Sequence, residues 1–216
     1  MINNATIPLF PLGLVLFPDM PLPLHIFEDR YKLMINECLD QNKEFGVVLF
    51  NGHQIQDIGC SAIIIRVLKE YGDGKSDILC IGKKRFFIKK LLESKAYLES
   101  EVIFFDDEIE NISREWEDIA TRGINLLCQT ERIPPKEEGL RLLKKLDYKG
   151  ISFLIAGSDG FTPEEKQVFL EMTSTLERLR KGIHSLEKIM ERNLITQEIQ
   201  KIIGGNGNVR KYFQVS

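Results

Sequence analysis

IPLFPLGLVLFPDMPLPLHIFEDR, running from Ile7 to Arg30, decides the reading of this chain. It is apolar, it carries prolines at Pro8, Pro11, Pro18, Pro21 and Pro23, and it ends in a charged helix start. Proline has no backbone N–H and is confined to strand ends, sheet edges and bulges. The segment is therefore expected as short extended pieces, IPLF, LVLF and PLPLHIF, with Glu28 opening a helix that runs to Gln41. Tyr31, Ile35, Cys38 and Leu39 recur at helical spacing, and Glu28 and Asp29 suit the positive end of the helix dipole.

Working outward, Phe45 to Phe50 (FGVVLF) reads as a buried strand, and Gly59 to Lys69 as a long β-branched one. Tyr71 to Ser76 (YGDGKS) has turn chemistry. Asp77 to Ile81 and Arg85 to Leu92 follow as strands, with a bulge or bend expected at Gly82. Tyr97 to Phe105 completes a β-rich region.

From Glu108 the period changes to helical. Ile112, Trp116, Ile119, Gly123, Ile124 and Leu127 trace one face, and Ile133-Pro134-Pro135 ends that helix. Lys136 to Leu146 and Ile151 to Ala156 read as short helices. Thr162-Pro163-Glu164-Glu165 is a capping box with proline at the first helical position, and Ser174-Thr175-Leu176-Glu177 is a second. The latter opens the longest helix, with Leu176, Leu179, Ile183, Leu186, Met190 and Leu194 in line, ending near Gly204-Gly205.

The motifs PLFPLG, LFP, PLPLHIFE and RY, followed by ISFLIAG, TPEEKQVFLE and a Leu-Glu-Arg-Leu helix, resemble the Lon-protease N-terminal (LON, substrate-binding) domain family over roughly Ile7 to Arg192. Asp19 stands where that family usually has glycine; Asp tolerates a left-handed backbone better than most residues. The resemblance implies an α+β fold: a PUA-like β-barrel over residues 1–107, a helical bundle over 108–204 and a flexible tail over 205–216. It also implies non-catalytic binding of unfolded or hydrophobic polypeptide. Leu14, Phe17, Leu22, Leu24, His25 and Phe27 are the expected contacts, through a sheet edge or an apolar groove. A separate protease or chaperone, or a second copy, are the further partners it suggests.

Other chemistry is scarce. With 43% hydrophobic and 28% charged residues and a net charge of −3, the composition is that of an ordinary globular protein. That charge argues against a dedicated nucleic-acid binder, and no apolar run reaches the ~20 residues of a membrane span. MINNATIPLF has none of the features of a signal peptide, so a cytoplasmic location is expected. Cys38, Cys60, Cys80 and Cys128 are scattered in apolar patterns, as free thiols are. Gly74-Lys75-Ser76 lacks the earlier glycine of a P-loop and reads as a hairpin turn. Neither a Walker A sequence nor anything like the Lon catalytic serine motif is present, so ATPase or protease activity is not expected. The histidines, His25, His53 and His184, are too dispersed for a metal site, and no cofactor is implied. His25 is expected to bond a backbone carbonyl.

One stretch leaves an alternative open. Lys83 to Lys90 (KKRFFIKK) interleaves cations with aromatics, and a PUA-like barrel is also used by RNA-binding proteins. Lys83, Lys84, Arg85 and Lys89 are the residues of that reading; a solvated sheet face is the plain one. The long C-terminal helix, likewise, suits either a partner or its own chain.

Overall fold

A computed structural model describes residues 4–130 and 146–205, the side chains of residues 197 and 201–205 excepted. Among them are six strands, β1 (Asn4–Leu12), β2 (Pro21–Ile26), β3 (Phe45–Phe50), β4 (Ile55–Glu70), β5 (Ser76–Leu92) and β6 (Glu99–Phe105). The helices are α1 (Asp29–Gln41), α2 (Arg114–Thr130), α3 (Tyr148–Ala156), α4 (Pro163–Glu171) and α5 (Thr175–Gly205). The helix expected over Lys136 to Leu146 and the expected tail fall, but for their first or last residue, outside the described residues.

The strand order is β2-β5-β4-β3-β1-β6, and β6 pairs back onto β5, which closes the sheet. The length of β5, 17 residues, makes closure possible. β4 covers one of its edges, while β2 takes Ser76 to Ile81 and β6 takes Arg85 to Leu92 on the other. β1 is antiparallel to β6 over Asn4 to Pro8 and parallel to β3 over Leu9 to Leu12. A parallel pair needs a crossover, which β2 and α1 supply.

The prolines act differently from the expectation. β1 runs unbroken through Pro8 and Pro11, because it changes partner between Pro8 and Leu9 and so has one neighbour along each half. A missing N–H can then face the open side. LVLF, expected as an extended piece, joins no strand: Leu16 and Phe17 are buried, and Phe17 packs on Phe153 of α3 with ring centroids 5.7 Å apart.

Gly82 and Asp19 are joined in one device. A Cβ on Gly82 would lie 2.1 Å from the carbonyl oxygen of Phe17, so only glycine lets the Phe17–Met20 turn close on β5. Asp19 N–H then donates to Gly82 O (2.9 Å) and Gly82 N–H to Met20 O (3.0 Å), with Asp19 left-handed at φ 60°. The bulge expected at Gly82 is present as a register shift between β4 and β5 over Cys60/Ala62.

The helices pack as a second layer whose core is continuous with that of the barrel. Ile155 lies between α2 and α5 at two glycines: a Cβ on Gly123 would be 2.5 Å from its Cδ1, and one on Gly182 2.7 Å from its Cγ2. The Thr162 capping box is complete. The one expected at Ser174 is half made. Ser174 Oγ accepts from Glu177 N–H (3.1 Å), but Glu177 pairs with Arg180, and Glu110 supplies the second carboxylate. Glu110 accepts from Ser174 Oγ (2.8 Å) and from the N–H groups of Thr175 (2.8 Å) and Leu176 (3.3 Å). Along α5, Leu179, Ile183 and Leu186 are buried, while Leu194, Ile195 and Ile199 are exposed.

Candidate functional site

A groove of about 500 Å³ opens where β1, β2, the start of α1 and the β3–β4 turn meet. Its floor is Phe10 of β1 stacked on Tyr31 of α1, ring centroids 4.1 Å apart. Its walls are Leu12, Leu24, Phe27, Phe50 and Ile55, and its rim is His25, Glu28 and Arg30. Phe27 is 56% and Phe50 41% exposed, unusual for large apolar side chains lining one concave surface. Burial pushes the Tyr31 hydroxyl up from its ordinary value, so the floor is neutral at physiological pH.

The rim is polar but internally matched. His25 Nδ1 lies 2.6 Å from Asp77 Oδ1, and Tyr71 O–H donates to Asp77 Oδ2 at 2.8 Å. An ionised carboxylate only accepts, so Nδ1 carries the proton and Nε2 is the nitrogen left for other contacts. The His25 bond, then the Tyr71 bond, hold the Asp77 carboxyl below its usual range. The expectation that His25 bonds a backbone carbonyl is corrected: it is exposed and pairs with a side chain. Arg30 lies over the Tyr31 ring and donates to Glu28 at 2.9 Å.

Of the six expected contacts, Leu24, His25 and Phe27 line the groove. Phe17 and Leu22 are buried and unreachable, and Leu14 is exposed outside it. Period-2 alternation puts Leu22, Leu24 and Ile26 on the inner face of β2; Leu22 and Ile26 are buried there, whereas Leu24 is only partly buried and reaches the groove. Phe10, Tyr31, Phe50 and Ile55 were not legible as site residues, because strand register and the crossover bring them in. The β2 edge is also less open than expected: Pro21 and Pro23 leave it without N–H donors at those positions, which blunts strand addition.

The cationic stretch divides in three. Arg85 is 1% exposed and points into the protein, against the expectation that it joins a surface strip. It donates to Leu170 O at 2.9 Å and pairs with Asp107, which also receives Arg178 of α5. Lys89 lies outside, 3.8 Å from Glu101. Lys83 and Lys84 line a separate cleft with Lys149 of α3. The Gly74-Lys75-Ser76 segment is a hairpin turn, with Glu70 opposite Ser76 and Gly74 at φ 79°. Among the described residues no three His, Cys, Asp or Glu side chains gather as a metal site, and no helix is long and apolar enough to cross a membrane.

The model of the ATP-dependent protease La (LON) substrate-binding domain matches residues 6–188. The chain belongs to this family. The LON match spans both the barrel and the helices, so the groove and the helical layer are parts of one family unit. The chain is 26% identical over 204 residues to the Lon protease of Roseiflexus castenholzii, covering 88% of this chain and 25% of that protein. To the Lon protease of Parabacteroides distasonis it is 33% identical over 111 residues, 47% of this chain and 13% of that one. It thus spans about a quarter or less of these relatives. Two solved structures share the fold. The Lon N-terminal domain protein from Xanthomonas campestris gives a TM-score of 0.65 at 22% identity, covering 82% of this chain and 96% of that one. The N-terminal domain of the Mycobacterium avium complex Lon protease gives 0.66 at 18% identity, covering 85% and 98%. The family match is to a substrate-binding domain and to neither an ATPase nor a protease module.

Proposed function

We propose that this LON domain binds polypeptide non-catalytically, seating an apolar side chain of an unfolded or extended segment in the β1–β2–α1 groove. The observation that carries this reading is that exposed Phe27 and Phe50 line one groove with the apolar Phe10–Tyr31 floor. Burying apolar surface contributes roughly 25 cal/mol per Å², so one seated aromatic side chain yields a few kcal/mol before ordering costs. That gives weak binding, about millimolar for each seated side chain, to many segments, which suits a domain that must accept varied clients. The rim groups orient the segment by its backbone, Arg30 donating to a carbonyl and His25 Nε2 accepting from an N–H.

The experiment is fluorescence anisotropy of labelled apolar and polar peptides against the purified chain, at low and high salt. Saturable binding of the apolar peptides, retained at high salt and lost in Phe27→Ser and Phe50→Ser, is expected. Binding that ignores both substitutions would sink the groove assignment.

A further inference from the structure

The basic stretch that the peptide groove leaves unused forms a second site at the junction of barrel and helices. Lys83 and Lys84 of β5, Phe104 and Phe105 of β6, and Lys149 of α3 line a cleft of about 260 Å³. Consecutive strand residues ordinarily point to opposite faces. The β4–β5 bulge beside Gly82 overrides this, and Ser61 Oγ fixes the turned backbone by accepting from Lys84 N–H at 3.1 Å. Both side chains thereby line one cleft.

The charge balance of that cleft is positive. Lys83 and Lys84 make no ion pair among the described residues; the Lys84 ammonium sits 5.9 Å from the Phe104 ring centroid. Asp106 is the carboxylate in the lining, and it is held by Lys149. Arg85, at the back, is matched by Asp107. Three lysines therefore line the cleft with one carboxylate, two of them on the barrel and one on the helices. The volume lies just below the ~300 Å³ at which drug-sized pockets begin, so the cleft suits a small anion with one flat or apolar group. Lysine binds phosphate as a point charge, and phenylalanine offers an aromatic surface to a base.

We infer that the Lys83–Lys84–Lys149 cleft binds the phosphate group of a nucleotide, free or within a single strand, and bridges barrel and helical layer. This assignment stands apart from the peptide reading, since the two sites share no residue.

The test is isothermal titration of the whole chain with sodium pyrophosphate, adenosine monophosphate and a short single-stranded RNA, at about 0.05 and 0.3 M salt. Pyrophosphate should bind saturably, more weakly at the higher salt. Lys83→Gln/Lys84→Gln, on exposed side chains that leave the fold intact, should weaken it at least about tenfold, and Lys149→Gln likewise. Lys89→Gln removes the same charge from the same strand outside the cleft and should change it less than about twofold. Whichever of the mononucleotide and the RNA binds more tightly with the same lysine dependence identifies the source of the phosphate. No saturable pyrophosphate binding by about 10 mM, or equal weakening by Lys89→Gln, overturns the site.

Discussion

Arg85 of the barrel and Arg178 of the last helix share one carboxylate, Asp107, inside the protein. Both arginines are at most 1% exposed, and both also donate to backbone carbonyls at the end of α4, Arg85 to Leu170 O and Arg178 to Met172 O at 2.8 Å. Phe153 is covered by both guanidinium groups, at 5.3 and 3.9 Å from its centroid. A sheet residue, a linker residue and a helix residue thus form one buried network that fixes the angle between the layers. Burial draws the Arg85 guanidinium down from its ordinary value, and the Asp107 charge opposes that fall.

Removing the shared anion is therefore expected to be severe. Asp107→Asn leaves two buried cations facing each other, and breaking a buried pair costs about 3–5 kcal/mol. Urea denaturation should show a midpoint shifted down by that energy divided by m, with the slope m unchanged. A loss below about 1 kcal/mol would mean that the carbonyls alone hold the arginines.

The two glycines that face Ile155 separate clash from helix propensity. Alanine at either position would gain up to about 1 kcal/mol of propensity on an isolated helix. In the fold both are expected to lose about 1–3 kcal/mol by overpacking. The rescue should differ. Ile155→Val deletes Cδ1, the atom facing Gly123, and keeps Cγ2, the atom facing Gly182. Thermal unfolding of the double variants should show recovery for Gly123→Ala and none for Gly182→Ala.

Local chemistry was legible in the sequence, and long-range placement was not. The Gly82 bulge, the left-handed Asp19, the Thr162 capping box and the YGDGKS turn each rest on the φ or hydrogen-bonding habit of one residue. That LVLF joins no sheet was not legible, because Phe17 meets α3, a partner more than a hundred positions away. Arg85 was misplaced because alternation cannot say that Asp107 and Arg178 await it on the inner side. Leu24, His25 and Phe27 of the groove followed from β2 and the residue after it. Phe50 and Ile55 complete it by way of the β3–β4 turn, whose only sequence signal was an apolar residue ending a strand at a polar Asn-Gly loop.

The split among the expected contacts gives a stability test. Phe17→Ala should cost about 3–5 kcal/mol, as large-to-small changes in a packed core do, and should impair peptide binding only through unfolding. Phe27→Ala should stay within about 0.5 kcal/mol of the parent and still lose binding. Chemical denaturation beside the anisotropy assay reads both quantities. A Phe27 variant as unstable as the Phe17 variant would place Phe27 in the core instead.

The four cysteines make the last prediction. Burial pushes the thiol of Cys38 up to about 11 and those of Cys60 and Cys80 up to about 12, with the neighbouring Glu37 charge adding to the effect at Cys38. The thiolate is the nucleophile, so these three should stay inert while the chain is folded. Iodoacetamide at about pH 8 should add at most one label to the native protein, at the half-buried Cys128, and four in urea, as counted by intact mass. The same shifts fix a sign. An unfolded thiol ionises near pH 9 and a buried one two to three units higher, so between these values the unfolded chain holds fewer protons and stability falls as pH rises. The contribution is complete below pH 9 and is lost on the way to about pH 12. Replacing Cys60 and Cys80 by alanine should flatten that decline in a urea series, and an undiminished slope would assign it to other groups.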